Sequence, residues 1–307
     1  MLKFTAKRLM MMCVVLLGVS FLVFSLLYFT PGDPVKLMLG ENATPEAVEN
    51  LREELGLNDP FFTRYGKYVK DIVFHGDLGT SFVTGRPVLQ EIMEVFPNTV
   101  KLATVSIIIA VTLGIILGII SAVKQNSIFD NVVMILALIG TSAPIFWIGV
   151  LMIMLFSVQL HWLPPSGFDT WQQMIMPAVA LGMQSTAVIA RMTRSSMLEV
   201  IRQDYVNTAR SKGQKEFVVI MRHVFRNALV PVITVVGLQF GFLLGGAMLT
   251  EVVFSIPGVG RLMVDSIKQR DFPMVQGGVL FMAACFSFVN LAVDLLYAVV
   301  DPKVSKG

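Results

Sequence analysis

The stretch LATVSIIIAVTLGIILGIISAV, residues 102–123, contains no charged side chain. A helix needs about 20 apolar residues to cross the roughly 30 Å hydrocarbon layer of a membrane. Five further stretches have similar character: Leu9–Phe29, Val132–Val158, Met174–Ala190, Ala228–Met248 and Gly277–Val300. The sequence therefore predicts an all-α membrane protein with six transmembrane helices.

The composition excludes most other classes of protein. Of the 307 residues, 55% are hydrophobic and only 15% are charged, and the mean hydropathy is +0.72. A soluble globular domain carries about 25% charged residues, and disordered chains carry less apolar surface. The formal net charge of +3 is too small to indicate a nucleic-acid partner. Membrane lipid is the expected environment.

Lysine and arginine residues predict the orientation of the spans. With six spans both termini lie on one side, and that side carries 14 basic residues, eight of them in the loop 191–227. The opposite side carries nine, but six of these lie between Lys36 and Arg86, in a loop too long to guide insertion. We therefore expect both termini to be cytoplasmic.

The chain divides into three predicted parts. Residues 1–30 form a tail and the first transmembrane helix, and residues 31–98 form a periplasmic helical insertion, or cap. Within the cap, Thr44-Pro-Glu-Ala47 is typical of a helix start with proline at the first position. Two or three short helices are expected there. Residues 99–307 form a five-helix transmembrane core that includes the cytoplasmic loop 191–227.

No pattern in the sequence predicts an enzyme. The G-x-x-x-x-G-K-[ST] phosphate loop, the G-x-S-x-G elbow and the H-E-x-x-H zinc helix are absent. The three histidines are scattered, and Cys13 and Cys285 lie in separate apolar stretches, so neither set indicates a metal site. We expect no catalytic residue, no metal and no cofactor on this chain.

Asp294 is the one carboxylate deep in a predicted span, which makes it a functional hypothesis. Asn290 lies one turn away on the same helix face. An ion-coupled secondary transporter would use such a group, but it would need several of them. The alternative is a carboxylate paired with a basic residue of a neighbouring helix.

Glycines recur at four-residue spacing in the fifth predicted span, at Gly237, Gly241 and Gly245. That spacing aligns them on one helix face, where another helix can approach closely. Close packing is one interpretation. The other is a translocation pathway formed by Gln239, Gly241 and Gly245, because an amide at mid-helix needs a partner.

The loop 191–227 contains a second pattern, DYVNTARSKG, from Asp204 to Gly213. Asp204 can accept a backbone N–H as an N-cap, and Gly213 can end a helix in the left-handed conformation. A helix of about two turns is therefore predicted. Ala209 and Ser211 are small enough to let it seat in a cleft. A helix lying on lipid is the alternative, but the little apolar surface favours a protein partner.

Asn207-Thr-Ala209 followed by Gly213 resembles the E-A-A-x-x-x-G motif of permease subunits of binding-protein-dependent ABC importers, with Asn207 and Thr208 departing from its first two letters. Five further stretches resemble the dipeptide, oligopeptide, nickel and glutathione branch of that family. They are Thr30-Pro-Gly-Asp-Pro34, Gly76-Asp-Leu-Gly-Thr-Ser81, Arg222-His-Val-Phe-Arg-Asn-Ala-Leu-Val-Pro231, Pro257-Gly-Val-Gly-Arg-Leu262 and Asp294-Leu-Leu-Tyr-Ala-Val-Val-Asp-Pro302. The resemblance covers essentially the whole chain.

The resemblance implies a role and a set of partners. A homologous second permease would enclose the pathway, two ABC ATPase subunits would bind ATP and Mg, and a periplasmic or lipid-anchored solute-binding protein would dock on the cap. Residues implied in coupling to the ATPase are Asp204, Asn207, Thr208, Ala209, Arg210, Lys212 and Gly213. The expected location is the inner membrane, and the expected substrate is a dipeptide, an oligopeptide or glutathione. A nickel complex, an ion-coupled carrier and a structural membrane scaffold are the alternatives.

Overall fold

The computed structural model describes residues 2–30, 34–40 and 43–300. Thirteen helices occur in these ranges: α1 (Leu2–Phe29), α2 (Pro34–Leu39), α3 (Pro45–Glu54), α4 (Phe61–His75), α5 (Val88–Val123), α6 (Ile128–Ser142), α7 (Ile145–Met152), α8 (Trp171–Ile201), α9 (Asp204–Ser211), α10 (Glu216–Val218), α11 (Arg226–Val253), α12 (Val259–Lys268) and α13 (Phe272–Val300). π-Helical turns extend α7 over Ile153–Gln159 and join α10 to α11 over Val219–Phe225. The helical class is therefore confirmed.

Within the described residues, five helical segments are long and apolar enough to cross a membrane, and a bent pair makes up to six. The five contain α1, α5, α8, α11 and α13. The third predicted span, Val132–Val158, is instead two helices, α6 and α7 with its extension, that meet at 104°. The count of six holds only when this pair is taken as one broken span.

The bend falls at Ala143 and Pro144. Ala143 has an extended backbone, with ψ at 134°, and Pro144 precedes the first residue of α7. Proline lacks an N–H and disfavours a helical conformation in the residue before it, so α6 must end there. The stretch Val132–Val158 is apolar and long enough for one span, but Pro144 ends the first helix within it.

The spans around the loop 191–227 are longer than the sequence predicts. α8 continues beyond Ala190 to Ile201, and the segment that contains α11 begins at Glu216 and not near Ala228. Helical hydrogen bonding continues past the apolar stretch on both sides. The irregular part of the loop is therefore only a few residues on either side of α9.

α8 is the central helix, since more than half of its most apolar window is buried, against 6% for α1. Its most extensive packing is with α5. A Cβ placed on Gly118 of α5 would lie 2.6 Å from Thr193 Cβ and 2.7 Å from the Ala190 carbonyl oxygen. Glycine is therefore what allows the two helices to approach, and Gly114, one turn earlier on the same face, packs in the same way against Ile189 of α8.

The cap, helices α2–α4 with the loop that leads to α5, packs on α1 through aromatic side chains. Phe61 and Tyr65 of α4 make edge contacts with Phe24 of α1, with ring centroids 5.3 and 5.4 Å apart. Thr44 caps α3 by accepting the Ala47 N–H, and Pro45 is its first residue. The prediction of two or three short helices is confirmed.

The predicted boundary between residues 98 and 99 lies inside α5, which is a single helix from the cap to the opposite end of the bundle. The division into three parts stays a prediction. Pro31–Asp33 of the first motif and Asp301-Pro302 of the last lie outside the described residues.

Candidate functional site

α9 lies at the end of the bundle opposite the cap and is anchored by one apolar face. Val206 and Ala209 are buried in a cluster that also contains Met197 of α8 and Val224 of the π-helical turns. Because residues three apart lie on one helix face, these two side chains fix the rotation of α9 about its axis. The opposite face, with Asn207, Thr208 and Ser211, is exposed.

Two expectations for α9 are wrong. The residue that caps it is Gln203, with extended backbone, and Asp204 is the first helical residue with no capping side-chain bond. Ala209 faces the chain's own core, so it cannot seat in a partner's cleft. The length is as predicted, and Gly213 has φ of +74°, the left-handed conformation expected of a helix end.

The two basic residues of the pattern differ in their contacts. Arg210 donates two hydrogen bonds to Glu216, at 3.2 and 2.8 Å, which raises the pKa of the guanidinium and closes the turn between α9 and α10. Lys212 is the exposed residue that follows α9. The Arg210 guanidinium is thereby held against the start of α10, whereas Lys212 is exposed at the end of α9.

Sequence reasoning missed two apolar side chains beside α9. The exposed fractions are 44% for Tyr205 and 75% for Phe217. Exposed aromatic residues next to a polar face are common anchors of protein interfaces. An aromatic residue in a basic, polar loop was the signal that could have found them.

A buried ion pair ties α8 to the first turn of α6. Arg194 donates from Nε and Nη2 to the two oxygens of Asp130, both at 2.7 Å. Asp130 also accepts the Asn126 N–H at 2.9 Å and a short hydrogen bond from Ser121. Asp130 is 2% exposed, so this pair is part of the core near α9.

The proposed pathway residues do not share one helix face. The Gln239 amide donates to Ser185 Oγ of α8 at 3.0 Å. Gly241 faces Phe286 and Val289 of α13, and nothing lies within 4 Å of a Cβ placed on Gly245. Gln239 therefore points away from the face of Gly241, because residues two apart on a helix point in nearly opposite directions, and the translocation pathway stays a prediction. Close packing holds for Gly241 and also for Gly237, where an added Cβ would lie 2.3 Å from a methyl group of Val293.

Asp294 pairs with a basic residue of a neighbouring helix. Its carboxylate lies 3.1 Å from Arg8 Nη1 of α1, and both side chains keep partial exposure. Asn290 does not join this pair: its Oδ1 is buried with no hydrogen-bond partner among the described residues. The structure thus favours an ion pair between α1 and α13 over a proton or sodium site.

A buried carboxylate, Glu251, organises the cap end of the bundle. It accepts hydrogen bonds from Thr99 Oγ1 of α5 at 2.7 Å and from the Arg261 N–H at 3.1 Å. Thr99 Oγ1 in turn accepts the Val259 N–H at 2.9 Å. The first N–H groups of a helix lack partners within it, so Glu251 and Thr99 cap α12 together.

The described residues contain no group of three histidine, cysteine, aspartate or glutamate side chains that could hold a metal ion. The candidate sites in this part of the chain are the two ends of the helical bundle. One end presents α9, and the other presents the capped helix α12 beside the cap.

Comparison with known proteins identifies the family. Residues 114–306 match the family described as binding-protein-dependent transport system inner membrane component. The chain belongs to this family. Residues 1–103 match the N-terminal family of the same membrane components. This permease is thus a multi-pass inner-membrane protein and a subunit of a transporter complex, as its resemblance to ABC importers predicts.

Its relatives include peptide-transport permeases. The dipeptide transport system permease protein DppB of Alkalihalophilus pseudofirmus is 44% identical, with 99% of each chain covered. The glutathione transport system permease protein GsiC is 45% identical in Pectobacterium atrosepticum and 44% in Escherichia coli strain K12, again over 99% of each chain. The resemblance to the peptide branch is confirmed.

Solved structures share the fold of part of the chain. An inward-facing structure of the MetNI methionine ABC transporter matches with a TM-score of 0.56 at 17% identity, covering 69% of this permease and 97% of that chain. An amino acid ABC transporter crystallised with histidines matches with a TM-score of 0.51 at 18% identity, covering 70% of this permease and 94% of that chain. Those chains share the helical core, and about a third of this permease lies outside the match.

Proposed function

We propose that this chain is the membrane-spanning permease subunit of an ABC importer that moves peptides, with a dipeptide or glutathione as the substrate. The observation that carries the proposal is 44% identity to a dipeptide permease and to glutathione permeases over 99% of each chain. Transport depends on separate ATPase subunits, which bind ATP and Mg. The chain itself supplies no ATPase site, because it lacks the phosphate loop.

The arrangement in the membrane follows from charge. The basic loop around α9 and both termini face the cytoplasm, and the cap faces the periplasm, where a solute-binding protein docks. A second, homologous permease packs beside this one and encloses the pathway. Only 6% of the most apolar window of α1 is buried, which supports such a neighbour or lipid along that helix.

α9 is the coupling helix in this proposal. Val206 and Ala209 anchor it to α8 and the π-helical turns, so a force on α9 reaches the spans directly. Its exposed face, Asn207, Thr208 and Ser211, is the part that an ATPase subunit can contact, and Tyr205 and Phe217 flank it. Arg210 and Gly213 hold the turn that follows.

Thr208→Trp is expected to abolish capture of the ATPase subunits and to lower ATP-driven dipeptide uptake at least tenfold. An indole ring in the middle of the exposed face of α9 prevents close docking, while the buried anchors stay in place. Uptake is measured in proteoliposomes that hold the transporter purified from its own membrane with its binding protein. The ATPase subunits that co-purify are quantified on the same preparation.

The matched control is Thr63→Trp, the same change at an exposed threonine of α4 in the cap. This variant should retain the ATPase subunits. Equal retention by both variants would overturn the coupling role of α9. Uptake driven by an ion gradient without ATP would support an ion-coupled carrier. Uptake of a nickel complex but not of peptides would show that the substrate is the nickel complex.

A further inference from the structure

Two adjoining cavities lie between the cap, α1 and α13. The larger has a volume of about 770 Å³ and the smaller about 90 Å³. Side chains common to both form the wall between them: Phe24, Leu57, Arg64, Phe82 and Pro273. The larger volume is in the range of small-molecule sites, and the smaller is enough for one carboxylate group.

The small cavity is lined by one cation that has no acidic partner among the described residues, Arg64, and by the amide of Gln276. The Arg64 guanidinium lies over the Tyr28 ring, 5.1 Å from its centroid, and makes no ion pair or side-chain hydrogen bond with a described residue. Gln276 also lines this cavity, with its Nε2 buried and facing the hydroxyl of Tyr68, and it has no other side-chain partner among the described residues. The other lining side chains are mainly apolar.

The charge of Arg64 is not compensated by its surroundings. Burial lowers the pKa of this guanidinium, and the pull of Asp59 in the opposite direction is smaller. Asp59 itself is held by Lys67, with Oδ2 and Nζ 2.6 Å apart. A cation that is half buried and unpaired among the described residues, in a cavity that the Gln276 amide also lines, favours an anionic ligand.

The large cavity has the opposite charge. Glu53, Glu54 and Asp71 line it, whereas its lysine, Lys67, is already paired with Asp59. The large cavity, which Arg64 also lines, therefore carries more carboxylates than cations, and these carboxylates attract a cation. A molecule with an ammonium group at one end and a carboxylate at the other matches this distribution of charge.

We propose that the two cavities form one site for the free ends of a short peptide, in which Arg64 and Gln276 bind the C-terminal carboxylate and Glu53 and Glu54 attract the amino group. The planar guanidinium can donate two parallel hydrogen bonds to a carboxylate. The inference rests on the proposed function, and it adds a peptide site on the permease itself, in the cap.

The test is direct binding to the complete transporter in lipid nanodiscs without its binding protein. Calorimetry with dialanine and with dialanine amide should give at least tenfold tighter binding of the free acid. Arg64→Gln should weaken dialanine binding at least tenfold and leave the amide unchanged. Lys70→Gln, which removes an exposed cation of the same helix that lines neither cavity, should change neither.

A second variant tests the site if the Arg64→Gln protein does not fold. Gln276→Glu is almost isosteric and supplies a carboxylate to the same small cavity, so it should also weaken dialanine binding at least tenfold. Dialanine binding at wild-type strength in a folded Arg64 or Gln276 variant overturns the site, as does equal binding of acid and amide.

ATP-driven uptake of dialanine is measured on the same transporter with its binding protein restored. Uptake without binding to the cap overturns the site and leaves the proposed function intact. Binding to the cap without uptake of any peptide overturns the proposed function and leaves the site.

Discussion

Asp130→Ala is expected to lower the stability of this permease by about 2–3 kcal/mol. The change leaves Arg194 with no partner for the two bonds of 2.7 Å that Asp130 accepts. Breaking a buried ion pair on one side costs roughly 3–5 kcal/mol, and the expected loss is at or below the lower end of that range because the Arg194 side chain keeps 24% exposure. Thermal unfolding in detergent, followed by tryptophan fluorescence, measures the loss.

The control for this prediction is a double-mutant cycle. Asp130→Ala, Arg194→Ala and the double variant are unfolded under the same conditions. The double variant should be more stable than the sum of the single losses predicts, by about 1–3 kcal/mol, because no unpaired charge remains. Additive losses would mean that the two side chains do not interact.

The position of this pair explains why its loss should also reduce transport. Asp130 lies just after the loop between α5 and α6, and Arg194 lies in the last turns of α8, which leads into α9. The anchors of α9 pack on Met197 of the same helix. A loosened α8 end therefore weakens the connection between α9 and the spans.

The sequence could predict the helical class, the cap helices and the place of α9, because each depends on local residues. Apolar length predicts the spans, and Thr44-Pro45 predicts the start of α3. The left-handed Gly213 follows from the same local chemistry. These features depend on neighbouring residues in the sequence and not on contacts between distant parts of the chain.

Contacts between residues that are far apart in the chain could not be predicted from the sequence. Asp130 and Arg194 are 64 residues apart, and nothing local indicates that they meet. The spacing of Gly237 and Gly241 predicts close packing but not that α13 is the neighbour. The predicted pathway combines Gln239 with these glycines because they are close in sequence, although the Gln239 amide points to α8 and donates to Ser185.

The structure explains why the motif Pro257-Gly-Val-Gly-Arg-Leu262 contains two glycines. In the structure its two glycines lie against helix α11. A Cβ on Gly258 would lie 2.3 Å from Glu251 Cδ, and a Cβ on Gly260 would lie 2.3 Å from Met248 Cα. The loop needs glycine because the Glu251 carboxylate must come close enough to cap α12.

Gly260→Ala is therefore expected to destabilise the permease by about 3 kcal/mol, at the upper end of the range for overpacking. The added methyl group meets backbone, which cannot rotate away as a flexible side chain can, so α12 must move and Glu251 loses the Arg261 N–H. The matched control is Gly245→Ala in α11, where nothing lies within 4 Å of the new Cβ. There the gain in helix propensity, about 0.5–1 kcal/mol, should leave stability equal or slightly higher.

Thermal unfolding of both variants in detergent measures the difference in stability between them. A Gly260→Ala variant as stable as Gly245→Ala would show that α12 can shift without cost and that capping by Glu251 does not hold it against α11.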